Sequence, residues 1–131
     1  MIIKLFSNGN IIEQGEFASL TQSSIKVKKE EETQELVGVN WQNVSPVLYD
    51  ENDNILEQET KDIIKKLYKD EAYKKLLPTD WRVIKQQETG DYSPEEWHIT
   101  TAERQSIRSI CDDKIGRLEN CTDLTSYKVE L

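Results

Sequence analysis

The chain has 131 residues, of which 36% are hydrophobic and 32% charged, and its formal charge is -8 at pH 7. That length fits one domain, or one small domain with an appendage, and a mean hydropathy of -0.72 implies a thin or elongated body with much exposed surface. The acidic balance opposes docking on nucleic acid or an anionic membrane, so neither is expected as a partner.

No apolar run approaches the roughly 20 residues needed to span a bilayer, and Met-Ile-Ile-Lys-Leu-Phe at the start is too short for a secretory signal. The cytosol is therefore the expected place of synthesis. The first 56 residues read as about five short antiparallel strands in a small sandwich or barrel-like sheet. Asn8-Gly9 is a hairpin turn signal between Met1–Phe6 and Ile11–Phe17. Ile25 and Val27 alternate with polar neighbours, as do Val37, Val39 and Trp41. The acidic run Glu30, Glu31, Glu32, with Glu35 beyond it, suits a solvated turn, and Asp50 to Asn54 forms a polar hairpin loop between Val47–Tyr49 and Ile55–Leu56.

From residue 57 the pattern turns helical, which divides the chain into a β-rich attachment region, 1–56, and a helical region, 57–131. Between Thr60 and Leu77 the apolar residues follow helical spacing around a face of lysines. Pro78 is expected to end that helix. Thr79 or Asp80 then caps a short helix with Trp81 and Ile84 inward, and Gly90 closes it in the left-handed conformation. Ser93-Pro94-Glu95-Glu96 is a helix start, and Thr100-Thr101-Ala102-Glu103 repeats the capping pattern, dividing the segment into a single turn with Trp97 and a helix that buries Ile107, Ile110, Cys111, Ile115 and Leu118. In the tail, alternating Tyr127, Val129 and Leu131 predict a short C-terminal strand. The expected class is α+β, a sheet followed by a helical hairpin region.

Residues with catalytic potential are sparse. His98 is the single histidine, no serine has a nucleophile-elbow context, and Cys111 and Cys121 with one histidine cannot complete a four-ligand zinc site. Asp50, Asn52 and Asn54 match the first spacings of a calcium loop, but Ile55 stands where that loop turns on Gly and Lys61 where it needs a bidentate Glu. No cofactor, metal or catalytic residue is expected. Trp97, in an otherwise polar segment, is the expected interface anchor, together with the Leu67 and Tyr68 stripe.

Leu77-Pro78-Thr79-Asp80-Trp81-Arg82-Val83-Ile84, Gly90, and Arg104 and Arg108 in a following helix resemble a module near the C-termini of tailed-phage tail-fibre and tail assembly proteins, over residues 77–115. The opening Met-Ile-Ile-Lys-Leu-Phe-Ser-Asn-Gly with Gly15-Glu16-Phe17 is similar to the start of phage fibre or baseplate-attachment proteins. The resemblance implies a non-enzymatic virion protein: a short fibre, fibre adaptor or baseplate-associated component that packs against other tail proteins and against copies of itself. An assembly chaperone absent from the mature particle is the alternative. A small acidic inhibitor of a host nucleic-acid enzyme, using Glu30 to Glu32, is a third. The chain departs from long fibres in lacking a repetitive shaft, and from small chaperones in its N-terminal sheet.

Overall fold

The computed structural model describes residues 1–29, 32–37 and 41–131. Five strands, β1 Ile2–Ser7, β2 Asn10–Leu20, β3 Ser24–Lys29, β4 Glu32–Val37 and β5 Ser45–Tyr49, precede two helices, α1 Glu57–Thr89 and α2 Pro94–Glu119. The strands form one antiparallel sheet in the order β4-β3-β2-β1-β5. The α+β class holds. The sheet is a single open layer rather than a sandwich or barrel, because helices, not a second sheet, supply its apolar cover.

Local chemistry explains the strands. Asn8 and Gly9 turn with φ of 51° and 80°, which both residue types tolerate. In the β1–β2 pair Leu5 faces Glu13 and Phe6 faces Ile11, so Ile12 is an extra, bulged residue. Ile3 lies opposite Leu48 and is buried with Leu5, Ile25, Val27 and Val47. Trp41 is also buried, in a 3-10 turn, and its indole Nε1 donates to the carbonyl of Gln22 at 2.9 Å. In the loop after β5, the Asp50 carboxylate accepts from the backbone N–H groups of Asn52 and Asn54, each at 2.9 Å, and those bonds, the Asn54 one foremost, hold its carboxyl below the usual range. Glu30, Glu31 and Gly38 to Asn40 lie outside the described residues, and with them most of the acidic face on which an inhibitor would depend.

Sheet and helices share one core. Thr60, fully enclosed in the first turn of α1, accepts the backbone N–H of Leu48 at 2.9 Å, fastening the helix to β5. Ile64, Leu67 and Tyr68 of α1, Cys111 and Leu118 of α2, and Leu124 and Val129 of the tail complete a cluster with the strands. Residue 57 is thus the point where helix replaces strand, while the core runs across it.

The helical region differs from expectation in three places. Helix α1 does not stop at Pro78: its 33 residues run through it. Proline removes the donor that would meet the Lys74 carbonyl four residues back, and the turn beside it is tied by Thr79 Oγ1 donating to the Leu76 carbonyl at 2.7 Å and Arg104 Nη1 to the same oxygen at 3.3 Å. Helix α2 does not divide at Thr100 either, because that residue is buried rather than free to cap. The tail forms no strand: Asp123 bonds Thr125 and Ser126 into a turn, and the Glu130 backbone N–H goes to the Tyr68 hydroxyl at 3.2 Å in place of a sheet partner.

Candidate interaction surface

The two helices form an antiparallel hairpin whose polar contacts fix the level of one against the other. Lys65 pairs with Glu119, Glu71 with Lys114 at 2.9 Å, Asp80 with Arg104 at 2.8 Å, and Arg82 with Glu103 at 3.1 Å. At about 1.5 Å per residue α1 is roughly 50 Å long. Its lower half carries the core. The upper half does not, since between Tyr73 and Ile110 the buried residues are Thr79 and Thr100. Lys74 still reaches Gln22 of the β2–β3 turn at 3.1 Å, and past it the hairpin continues as an arm.

Arg104 is the arm's main joint. Its Nη1 donates to the Leu76 carbonyl, the Thr79 hydroxyl and the Asp80 carboxylate, so one side chain of α2 gathers three groups of α1 beside Pro78. At the tip, Gly90 adopts φ 64° and ψ 21°, and its N–H bonds the Gln86 carbonyl. Ser93 caps α2 by accepting the Glu96 N–H at 3.2 Å, and its hydroxyl donates to the Glu96 carboxylate. Tyr92 and Trp97 stack there with ring centroids 6.5 Å apart, and Lys85 lies 5.1 Å from the centre of the Tyr92 ring.

Two residues expected at an interface are unavailable for one. Leu67 and Tyr68 are 2% and 1% exposed, enclosed by the chain's own sheet and tail, where the Tyr68 hydroxyl bonds that of Tyr127. Trp97 is half-buried and lines an open groove of about 500 Å³ with Val83, His98, Thr101, Arg104 and Arg108. Arg108 is exposed there and has no partner among the described residues.

Trp81 is the largest correction. It is 56% exposed, because the phase of α1 that faces α2 at this height carries Thr79 and Val83. Tyr73, Leu77 and Ile84 on α1, and Ile99 and Ile110 on α2, are exposed to between 49% and 66%. These five were missed as surface. The signal was present as a change of phase: apolar positions 64, 67 and 68 mark one side of α1, while 73, 77, 81 and 84 mark nearly the opposite side.

The polar chemistry elsewhere is structural. Glu71 accepts from Lys75 and Lys114, each at 2.9 Å; burial pushes its carboxyl up, and those two bonds together outweigh it and hold it below the usual range. Burial, helped by Asp112, pushes the Cys111 thiol up, and its S–H points to the Tyr68 carbonyl at 3.5 Å. Both cysteines are free. Among the described residues no group of three His, Cys, Asp or Glu side chains is placed to hold a metal ion, and no helix is long and apolar enough to cross a membrane. The sheet's outer face has an open groove of about 760 Å³ along Ile2, Lys4, Gln14, Glu16, Lys28 and Asp53, with Lys4 paired to Asp53.

No family model matches the chain, and neither a curated protein nor a solved structure was found to be significantly similar to it.

Proposed function

We propose that this chain is a structural protein of a bacteriophage tail, a short fibre, fibre adaptor or baseplate-associated component that works through contacts with neighbouring tail proteins and copies of itself and carries out no catalysis. One observation carries the interaction part: a helical arm, fastened at its base to a sheet that shares its core, exposes four large apolar residues in a row on α1. A surface of this kind is what a binding face requires and what an isolated protein avoids. The virion part rests on the resemblance of residues 77–115 to the phage tail module. Arg104, Thr79 and Asp80 would then hold the arm, and Trp97 and Arg108 would line a contact surface on it.

Mass spectrometry of purified virions of the encoding phage tests the assignment. The chain is expected in the particle at a fixed ratio to other tail proteins, and its absence would sink the structural role. The exposed arm equally suits an assembly chaperone that covers a partner's apolar surface. That alternative requires the chain to co-purify with an unassembled tail protein and to be missing from finished particles.

A further inference from the structure

We infer that Asn8 is a site of spontaneous covalent modification, at which the Gly9 backbone nitrogen displaces the side-chain amide at a rate set by opening of the β1–β2 turn. The reaction is independent of any role in a phage tail.

The chemistry needs only the chain and water. The Gly9 nitrogen, once it has lost its proton, bonds to the Asn8 Cγ; the C–N bond of the carboxamide breaks, ammonia leaves, and a cyclic imide closes. Water then adds to either ring carbonyl and breaks its bond to the ring nitrogen. Opening at the side-chain carbonyl leaves aspartate, and opening at the main-chain carbonyl leaves isoaspartate, whose backbone runs through Cβ and Cγ. Water is consumed, ammonia is released, and nothing is oxidised or reduced.

Of the seven asparagines, Asn8 alone precedes glycine, so no side chain stands beside its attacking nitrogen. Asn8 and Gly9 are both exposed, and a side chain on Gly9 would meet nothing within 4 Å, which leaves room for the addition and for water. The Gly9 N–H and the Asn8 carboxamide make no hydrogen bond among the described residues. By contrast, the nitrogens that follow Asn43, Asn52 and Asn120 are each engaged: Val44 donates to the Trp41 carbonyl at 3.4 Å, Asp53 to that of Asp50 at 3.2 Å, and Cys121 to that of Leu118 at 3.1 Å.

The turn itself sets the pace. The φ values of 51° at Asn8 and 80° at Gly9 are the type I′ pattern. In that pattern ψ of the first central residue is about +30°, which turns the Gly9 nitrogen away from Cγ. The Cα–C bond of Asn8 must rotate before the ring can close, so the pairing of Ser7 with Asn10 has to open first. Ile11 and Ile12 beyond the turn are 49% and 56% exposed, so little apolar burial resists opening at this tip. Aspartate at position 8 tolerates positive φ and keeps the turn. Isoaspartate lengthens the backbone, and so disturbs the register in which Ser7 meets Asn10 and Phe6 meets Ile11. Strand β1 lies between β2 and β5 and carries Ile3, Leu5 and Phe6 of the core, so the disturbance enters the middle of the fold.

Peptide mapping by mass spectrometry, after incubation of the full chain in mildly alkaline heavy-oxygen water, tests this. Residue 8 is expected to exchange its amide for a solvent oxygen several-fold faster than the other asparagines, with a rate that rises in proportion to hydroxide, and faster still when urea unfolds the chain. The isoaspartate form, separated by ion exchange and identified with an isoaspartyl methyltransferase, should unfold at a lower temperature than wild type, whereas the Asn8→Asp variant should unfold close to it. A residue 8 that reacts no faster than the other asparagines would overturn the site. Equal rates in the native and unfolded chain would overturn control by the turn, and an isoaspartate form as stable as wild type would overturn the effect on β1.

Discussion

Trp81 and Arg104 show how differently two side chains of the same module act. Trp81 would be the core of a helix junction if α1 ended at Pro78, and truncating an enclosed tryptophan costs about 3–5 kcal/mol. On a continuous helix it is 56% exposed, so Trp81→Ala is expected to change the unfolding free energy by no more than about 0.5 kcal/mol. Urea denaturation checks this, and a loss of several kcal/mol would mean the side chain is enclosed. Arg104 is the reverse, a charged residue serving a structural purpose. Arg104→Ala strips the donor from the Leu76 carbonyl, the Thr79 hydroxyl and the Asp80 carboxylate. With hydrogen bonds to charged groups contributing about 1.5–3 kcal/mol, the expected loss is about 2 kcal/mol in the same titration. Arg104→Lys should recover part of it, since one ammonium cannot reproduce the planar fork.

Among the elements, those fixed by neighbouring residues were legible in the sequence and those fixed by distant ones were not. The Asn8-Gly9 turn, the Gly90 cap and the Ser93 N-cap each follow from residues within a few positions of one another. The turns on either side of Pro78 are tied to α2 by Arg104, and the tail's backbone is taken up by Tyr68, neither of which a local rule can see. The arm's face had a readable signal in the phase change after Ala72, but reading every apolar stripe as core concealed it. Pro78 itself gives a test at this scale. An interior proline costs about 3 kcal/mol relative to alanine, and Pro78 cannot give the helical bond to the Lys74 carbonyl four residues back. Pro78→Ala should therefore stabilise the chain by up to about 3 kcal/mol, seen as a higher midpoint of thermal unfolding, and an unchanged midpoint would show that α1 carries the proline without cost.

The whole molecule joins two regions of unequal stability in one pair of helices. Below Tyr73 the helices are fastened by the cluster of Ile64, Leu67, Tyr68, Cys111 and Leu118 against the sheet and tail. Above it, the arm is held by the Arg82–Glu103 and Arg104–Asp80 pairs and the stacked Tyr92 and Trp97. An exposed pair such as Arg82–Glu103 contributes about 0–1 kcal/mol and an aromatic pair about 0.5–1.5 kcal/mol, so beyond Arg104 the arm has little to set against local opening. Local opening free energies follow buried apolar contact. Native-state hydrogen exchange is therefore expected to show graded protection within single helices. Amides of α1 from about Ile64 to Ala72 should exchange only through global unfolding, and those from about Val83 to Thr89 through local fraying, with α2 mirroring the gradient from Cys111 back to Trp97. Uniform protection along both helices would mean that the arm has a cooperative core of its own.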